Sequence, residues 1–123
     1  MSKVKVALLG TGGFMGHHAK RLSGNPDAQI VALCDMSESI VDAFIEKHLK
    51  EYSPTPARFT NPASMYQQAR PDAVVIATPH TMHFEHAMQA LEAGCHVLIE
   101  KPMVTSAEHA YKLAEKVADT GKV

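Results

Sequence analysis

The sequence lacks the features that are typical of proteins that bind nucleic acids or membranes. Its formal net charge is −1, and its lysines and arginines do not form a basic block. This charge gives no indication of binding to nucleic acid or to an anionic membrane surface. No apolar run approaches the roughly 20 residues of a membrane span, and Val6 to Leu9 is too short for the core of a signal peptide. We therefore expect neither nucleic acid nor a membrane among its partners.

Cysteine is also scarce. The two cysteines are Cys34, predicted at the carboxyl end of a strand, and Cys95, predicted just before another strand. In a parallel sheet these positions lie at opposite edges, farther apart than the roughly 7 Å that a disulfide can span between Cα atoms. Both are therefore predicted to be free thiols in a reducing compartment, which favours a cytoplasmic protein.

What is present is enough for one ordinary domain. The chain has 123 residues, and 46% of them are hydrophobic, which suffices for a core. Short apolar runs alternate with segments of helical periodicity along the whole chain. Strands are predicted at 4–9, 29–34, 57–59, 73–77 and 96–99. Helices are predicted at about 14–23, from Ser37 or Ser39 to about 52, at 84–93 and from Ser106 to about 119, and a weak helical turn is predicted at 63–68.

This alternation predicts βαβ units, and hence a parallel sheet with helices on both faces. The fold class is α/β, a Rossmann-type doubly wound sheet of three layers. The last residues, Gly121 to Val123, are typical of the start of a further strand. We therefore expect a sheet truncated before its sixth strand, within a longer protein.

A glycine-rich loop follows the first predicted strand. Residues 10–16 contain four glycines, and a helix follows them. Gly10 and Gly12 match the first two positions of the G-x-G-x-x-G fingerprint, but Met15 occupies the third and Gly16 is one residue late. The pattern indicates a pyrophosphate held at a helix N-terminus, and a glycine-rich turn without a ligand remains the alternative.

Asp35 ends the second predicted strand, 23 positions after Gly12. A carboxylate there can accept both ribose hydroxyls of an adenosine and repels a 2′-phosphate. No arginine follows within several residues, so the pattern favours NAD over NADP. Taken alone, Asp35 could equally cap a helix or a turn.

Two further loops follow predicted strands. His80, His83 and His86 are spaced by three, but no cysteine or carboxylate cluster completes a metal site, so we predict none. The loop from Thr78 is instead expected beside a cofactor. Glu100-Lys101-Pro102 lies at the end of an apolar strand, where a lysine can assist deprotonation of a hydroxyl and the proline can fix the turn. A surface ion pair and a helix-starting proline are the alternative.

Together these residues resemble the Gfo/Idh/MocA family of nicotinamide-dependent oxidoreductases. The resemblance covers the whole chain. It depends on the loop from Gly10 through His18, on Asp35, and above all on the run from Asp72 to Pro102.

The resemblance implies an NAD(P)-binding Rossmann domain over 1–123, which the family joins to a C-terminal α/β substrate domain absent here. It implies an oxidoreductase, a dehydrogenase acting on a secondary hydroxyl or ketone of a sugar or cyclitol, with NAD as cofactor. A homo-oligomer is expected. Lys101 would be catalytic. Cofactor contacts would come from Gly10, Gly12, Gly13, Phe14, Met15, Asp35, Thr78, Pro79, His83, Glu100 and Lys101.

This sequence departs from the family pattern at two positions, and it has no substrate domain. Met15 replaces the last glycine, which puts the close packing of helix and strand in doubt, and His80 stands where the family often has asparagine. Since the substrate domain supplies the usual histidine acid/base, this chain alone is expected to bind cofactor without turnover. The alternative is a stand-alone nucleotide-binding module that senses or scaffolds.

Overall fold

Five parallel strands form the sheet of the computed structural model, which describes residues 3–12, 14–101, 104 and 106–123. The strands are β1 (Val4–Leu9), β2 (Ala28–Cys34), β3 (Ala57–Phe59), β4 (Ala73–Ile76) and β5 (His96–Ile99). Their order is β3-β2-β1-β4-β5, and each neighbouring pair is parallel. The predicted doubly wound α/β fold is confirmed. The chain reverses its direction across the sheet between β1 and β4, where such folds bind their ligands.

The connections between strands are helical. The helices are α1 (Met15–Ser23), α2 (Glu38–His48), α3 (Pro62–Ala69), α4 (His83–Glu92) and α5 (Ala107–Thr120), with a short 3₁₀ helix (His80–Met82) before α4. As predicted, Ser106 caps α5, and Ser37 rather than Ser39 caps α2 by accepting a hydrogen bond from the amide of Ile40.

Two helices differ from the predicted boundaries. The α2 helix ends at His48 instead of continuing to about 52, because Leu49 leaves the helical conformation and packs into the core. The segment predicted as a weak turn is the full helix α3. Its start is fixed by Asn61, whose side chain accepts from the amide of Ser64, and by a proline at the first helical position.

The sheet is buried between two apolar layers. On one face β1 and β2 pack against α1 and α2, with Leu8, Ile30 and Val41 fully buried. On the other face α3, α4 and α5 cover the sheet. In α5, Leu113 is buried, whereas the neighbouring Ala114 is exposed. Both cysteines are buried and free, as predicted.

Strand β5 forms one edge of the sheet. The amide of Val97 donates to the carbonyl of Val123 at 2.7 Å, and the Val123 amide donates to Nδ1 of His96 at 3.1 Å. On the same strand, the Leu98 side chain is 56% exposed. None of the helices in the described part of the chain has the length and apolarity that crossing a membrane requires.

Candidate cofactor site

A cleft of about 850 Å³ opens at the carboxyl edge of the sheet, across the ends of β1, β2, β4 and β5. Its volume lies within the range of small-molecule and cofactor sites. The cleft brings together nine residues of the predicted site, which are Gly10, Gly12, Phe14, Asp35, Thr78, Pro79, His83, Glu100 and Lys101. Gly13 and Pro102, with the predicted effect of that proline on its turn, lie outside the described residues.

Gly10 turns the chain out of β1 and must be glycine for two reasons. Its φ angle is +88°, in the region that L side chains rarely adopt. A Cβ atom on Gly10 would also lie 2.8 Å from the carbonyl carbon and oxygen of Ala77, which follows β4. The glycine therefore lets the loop after β1 lie directly against the loop after β4.

Gly12 serves a different purpose. A Cβ atom placed on it would meet no atom within 4 Å, although Gly12 lines the cleft. Helix α1 begins three residues later without a side-chain cap and without an acidic residue in its first turn. No acidic residue of its own first turn thus offsets the positive end of the α1 dipole beside this open glycine, an arrangement suited to a bound anion.

The side chain of Met15 does not line the cleft, and the predicted contact between this residue and a cofactor stays a prediction. The side chain is fully buried in the core beneath α1, among residues that include Leu8 and Ala19. At Gly16, one position later, α1 lies close to α2. A Cβ there would lie 2.6 Å from the ring of His48 in α2.

Asp35 is held rigidly at the end of β2. Its Oδ2 accepts from the amide and the hydroxyl of Thr11, at 2.9 and 2.6 Å, and its Oδ1 accepts from the amide of Met36 at 2.6 Å. These bonds fix the carboxylate at the cleft wall. Sequence reasoning placed Asp35 at the site but missed Thr11, whose only signal is its position between Gly10 and Gly12.

Thr78, in the loop that follows β4, forms hydrogen bonds with two histidines of α4. Nε2 of the fully buried His83 donates to the Thr78 carbonyl, and the Thr78 hydroxyl shares a hydrogen bond with Nδ1 of His86, each at 2.8 Å. Burial lowers the pKa of His86, against a smaller opposing effect of Glu85. The two histidines thus hold the loop. No cluster of side chains able to hold a metal ion occurs among the described residues.

Glu100, which lines the cleft, forms a hydrogen bond with a histidine of α1. Nε2 of His18, in α1, donates to Oε1 of Glu100, so the carboxylate is bound to the helix that follows the glycine loop. Lys101 is exposed at the rim and lines the cleft. The hydrogen bond to His18 constrains the Glu100 side chain, whereas the Lys101 side chain reaches the cleft without that constraint. The histidine was missed as a partner because 82 positions separate it from Glu100.

Cys34 is a further ionisable group in the wall, which His80 also lines. Burial, with a smaller contribution from the neighbouring Asp35, raises the pKa of its thiol to about 11. The thiol is therefore protonated at neutral pH and packs as an apolar group, not as a nucleophile.

The comparisons with known proteins agree with this geometry. The model of an oxidoreductase family with an NAD-binding Rossmann fold, GFO_IDH_MocA, matches residues 4–123. D-glucoside 3-dehydrogenase of Escherichia coli (strain K12) is 33% identical over 123 residues, which are 99% of this chain and 34% of that protein. Glycosyl hydrolase family 109 protein 2 of Shewanella sp. (strain ANA-3) is 36% identical over 124 residues, 94% of this chain and 26% of that protein.

Among solved structures, the WlbA dehydrogenase of Chromobacterium violaceum, in complex with NADH and UDP-GlcNAcA, superposes with a TM-score of 0.88 and 25% identity. The match covers 99% of this chain and 34% of that one, so the chain spans about a quarter to a third of the length of these relatives. The family match extends over nearly every residue and includes the whole site. The chain therefore belongs to the Gfo/Idh/MocA oxidoreductase family and is an NAD-binding Rossmann domain of that family.

Proposed function

We propose that this domain holds NAD for an oxidoreductase that acts on a secondary hydroxyl or ketone of a sugar or cyclitol. The observation that carries the proposal is the cleft at the carboxyl edge, where an open glycine, an uncapped helix N-terminus and a fixed carboxylate lie together. These features match two parts of a dinucleotide, because the glycine and the helix N-terminus suit the negatively charged pyrophosphate and the carboxylate suits a ribose diol.

In this proposal each wall of the cleft has one task. The loop from Gly10 to Phe14 and the first turn of α1 hold the pyrophosphate, and Asp35 accepts hydrogen bonds from the adenosine ribose. Thr78, Pro79 and His83 line the cleft toward the nicotinamide end, and His86 keeps Thr78 in place.

Lys101 is the candidate for proton transfer. When bound, NAD supplies the hydride acceptor, so the protein must take a proton from the substrate hydroxyl. The Lys101 Nζ, at the rim beside Glu100, can hold that proton or hydrogen-bond the hydroxyl. Because His18 engages the carboxylate of Glu100, the Lys101 side chain is left for the substrate.

The choice of NAD over NADP is part of the proposal. Asp35 would repel a 2′-phosphate, and residues 36–42 contain no lysine or arginine to bind one. The arginine of the adjacent strand, Arg58, is already paired through Nε with Asp42 at 2.5 Å. Among the described residues, the cleft wall on this side thus offers acceptors for hydroxyls and no unpaired cation for a phosphate.

The proposal extends to an additional domain and to assembly. Its support is that the chain spans 34% of the length of D-glucoside 3-dehydrogenase, and that the NADH-bound relative also binds a sugar nucleotide. A C-terminal α/β domain would supply the remaining substrate contacts, and the protein would form a homo-oligomer in the cytoplasm. One relative is named a glycosyl hydrolase, so assays of the whole gene product should follow NADH formation and glycoside cleavage in parallel.

Calorimetric titration of the chain with NAD and NADP tests the proposal. We expect tighter binding of NAD, and Asp35→Ala should weaken NAD binding by about tenfold or more and narrow the gap, since hydrogen bonds to a charged group contribute about 1.5–3 kcal/mol. Asp27→Ala is the matched control, because it removes the same charge just before β2, at the opposite edge of the sheet. Equal affinities of the unmutated domain for both nucleotides would refute the preference, and absence of binding would refute the proposal.

A further inference from the structure

We infer that the Thr11 hydroxyl is a specificity-determining group, which accepts one of the two ribose hydroxyls while Asp35 accepts the other. The inference rests on the proposed function of the cleft. It concerns the residue between the two cleft glycines, a position to which the fingerprint assigns no side chain.

The hydrogen bonds of Asp35 leave little room for a diol. A carboxylate offers about four lone-pair positions. Oδ2 already accepts two hydrogen bonds from Thr11, and Oδ1 accepts one from the Met36 amide. Among the described residues this leaves one position, on Oδ1, whereas a ribose diol brings two donors. Asp35 alone therefore cannot take both hydroxyls without breaking a bond that holds it.

Thr11 supplies the missing acceptor. Its hydroxyl proton is directed to Asp35 Oδ2 at 2.6 Å, so only oxygen lone pairs remain for a ligand. Thr11 and Asp35 both line the cleft. The site thus presents two neighbouring acceptors, Asp35 Oδ1 and Thr11 Oγ1, that match two donors of a vicinal diol. A 2′-phosphate brings acceptors only at neutral pH and finds no donor in this pair.

The test compares three ligands, ADP, 2′-deoxy-ADP and 3′-deoxy-ADP, on the unmutated chain and on Thr11→Val and Thr11→Ser. Valine has the shape of threonine without the hydroxyl, and serine keeps the hydroxyl, so Thr11→Ser is the matched control. Urea denaturation of each variant checks that the fold is intact.

We expect Thr11→Val to bind ADP about tenfold more weakly, the loss of about one hydrogen bond, and Thr11→Ser to bind it normally. For the deoxy ligand that lacks the hydroxyl accepted by Thr11, Thr11→Val and the unmutated chain should bind equally. For the other deoxy ligand the tenfold deficit should persist. On the unmutated chain alone, both deoxy ligands should bind more weakly than ADP.

Two results would overturn the inference. An equal deficit of Thr11→Val for all three ligands would mean that Thr11 only holds Asp35, and full ADP affinity in Thr11→Val would mean that its hydroxyl has no role. A failure of the proposed function looks different, because the unmutated chain would then bind neither ADP nor NAD.

Discussion

Gly10 and Gly12 lie two residues apart in one loop, yet substituting each by alanine should have opposite consequences. Gly10→Ala forces an L residue to a φ of +88° and brings its Cβ within 2.8 Å of the Ala77 backbone and 2.9 Å of Thr78 Cγ2. Gly12→Ala meets nothing within 4 Å and needs no positive φ. The first change should act on stability, and the second on binding.

The expected loss for Gly10→Ala follows from two contributions. The left-handed conformation costs about 1–2 kcal/mol for a residue with a Cβ, and overpacking adds about 1–3 kcal/mol. The neighbours at 2.8 Å are backbone atoms between β4 and its loop, which cannot move aside as a flexible side chain can. The free energy of unfolding should therefore fall by about 2–5 kcal/mol, a large part of the roughly 5–15 kcal/mol typical of a domain.

Urea denaturation followed by circular dichroism measures this loss, and calorimetry with NAD measures binding. Gly12→Ala should keep the denaturation midpoint or raise it slightly, since alanine reduces the entropy of the unfolded chain, while its NAD affinity falls at least about tenfold. If Gly10→Ala were as stable as the unmutated chain, the contact between the two loops would be wrong. If Gly12→Ala bound NAD normally, the open space above Gly12 would not be part of the site.

Three shorter predictions concern other parts of the molecule. Burial lowers the pKa of His86 in the folded state, so its contribution to stability should be complete above the unfolded pKa of about 6.5 and should fall on acidification. The urea concentration at the unfolding midpoint should therefore be lower at about pH 5.5 than at about pH 7.5, and this difference should be smaller in His86→Asn. Cys34 and Cys95 should resist a thiol reagent at neutral pH in the folded chain and react once it is unfolded, because both are buried with raised pKa values; fast reaction in the folded state would contradict their burial. Leu98, 56% exposed on the edge strand β5, should promote self-association at high concentration, which sedimentation would detect and Leu98→Lys should abolish; a monomer at every concentration would argue against that surface.

The sequence was sufficient to predict the strands and the position of Asp35 at the end of β2. Predicted segments of three to six residues identified every strand, with β1, β3 and β5 at the predicted limits. The central strands β1, β2 and β4 were recognisable because strands buried on both faces are continuous in apolar character. The position of Asp35 followed from its place at a strand end. Helix α3 was underestimated because its stability comes from the Asn61 cap and from the burial of Met65, and its periodic pattern is short.

The contacts that complete the site could not be predicted because they join distant parts of the chain. The His18–Glu100 pair links α1 to the end of β5, and the Thr11–Asp35 bonds link the loops after β1 and β2. Neither follows from periodicity or spacing, since each depends on how the strands are ordered in the sheet. Met15 is a residue of the glycine-rich loop whose side chain belongs to the core, which its position in the binding motif did not indicate.

The central claim, that the cleft at the carboxyl edge binds the cofactor, is tested most directly by amide NMR shifts of the isotopically labelled chain on addition of NAD. The amides of Gly10, Gly12, Asp35 and Thr78 should shift with a single dissociation constant. The amides of Lys5, Asp72 and His96, at the opposite edge of the sheet, should not. Shifts concentrated at that opposite edge, or no shifts at all, would contradict this assignment of the site.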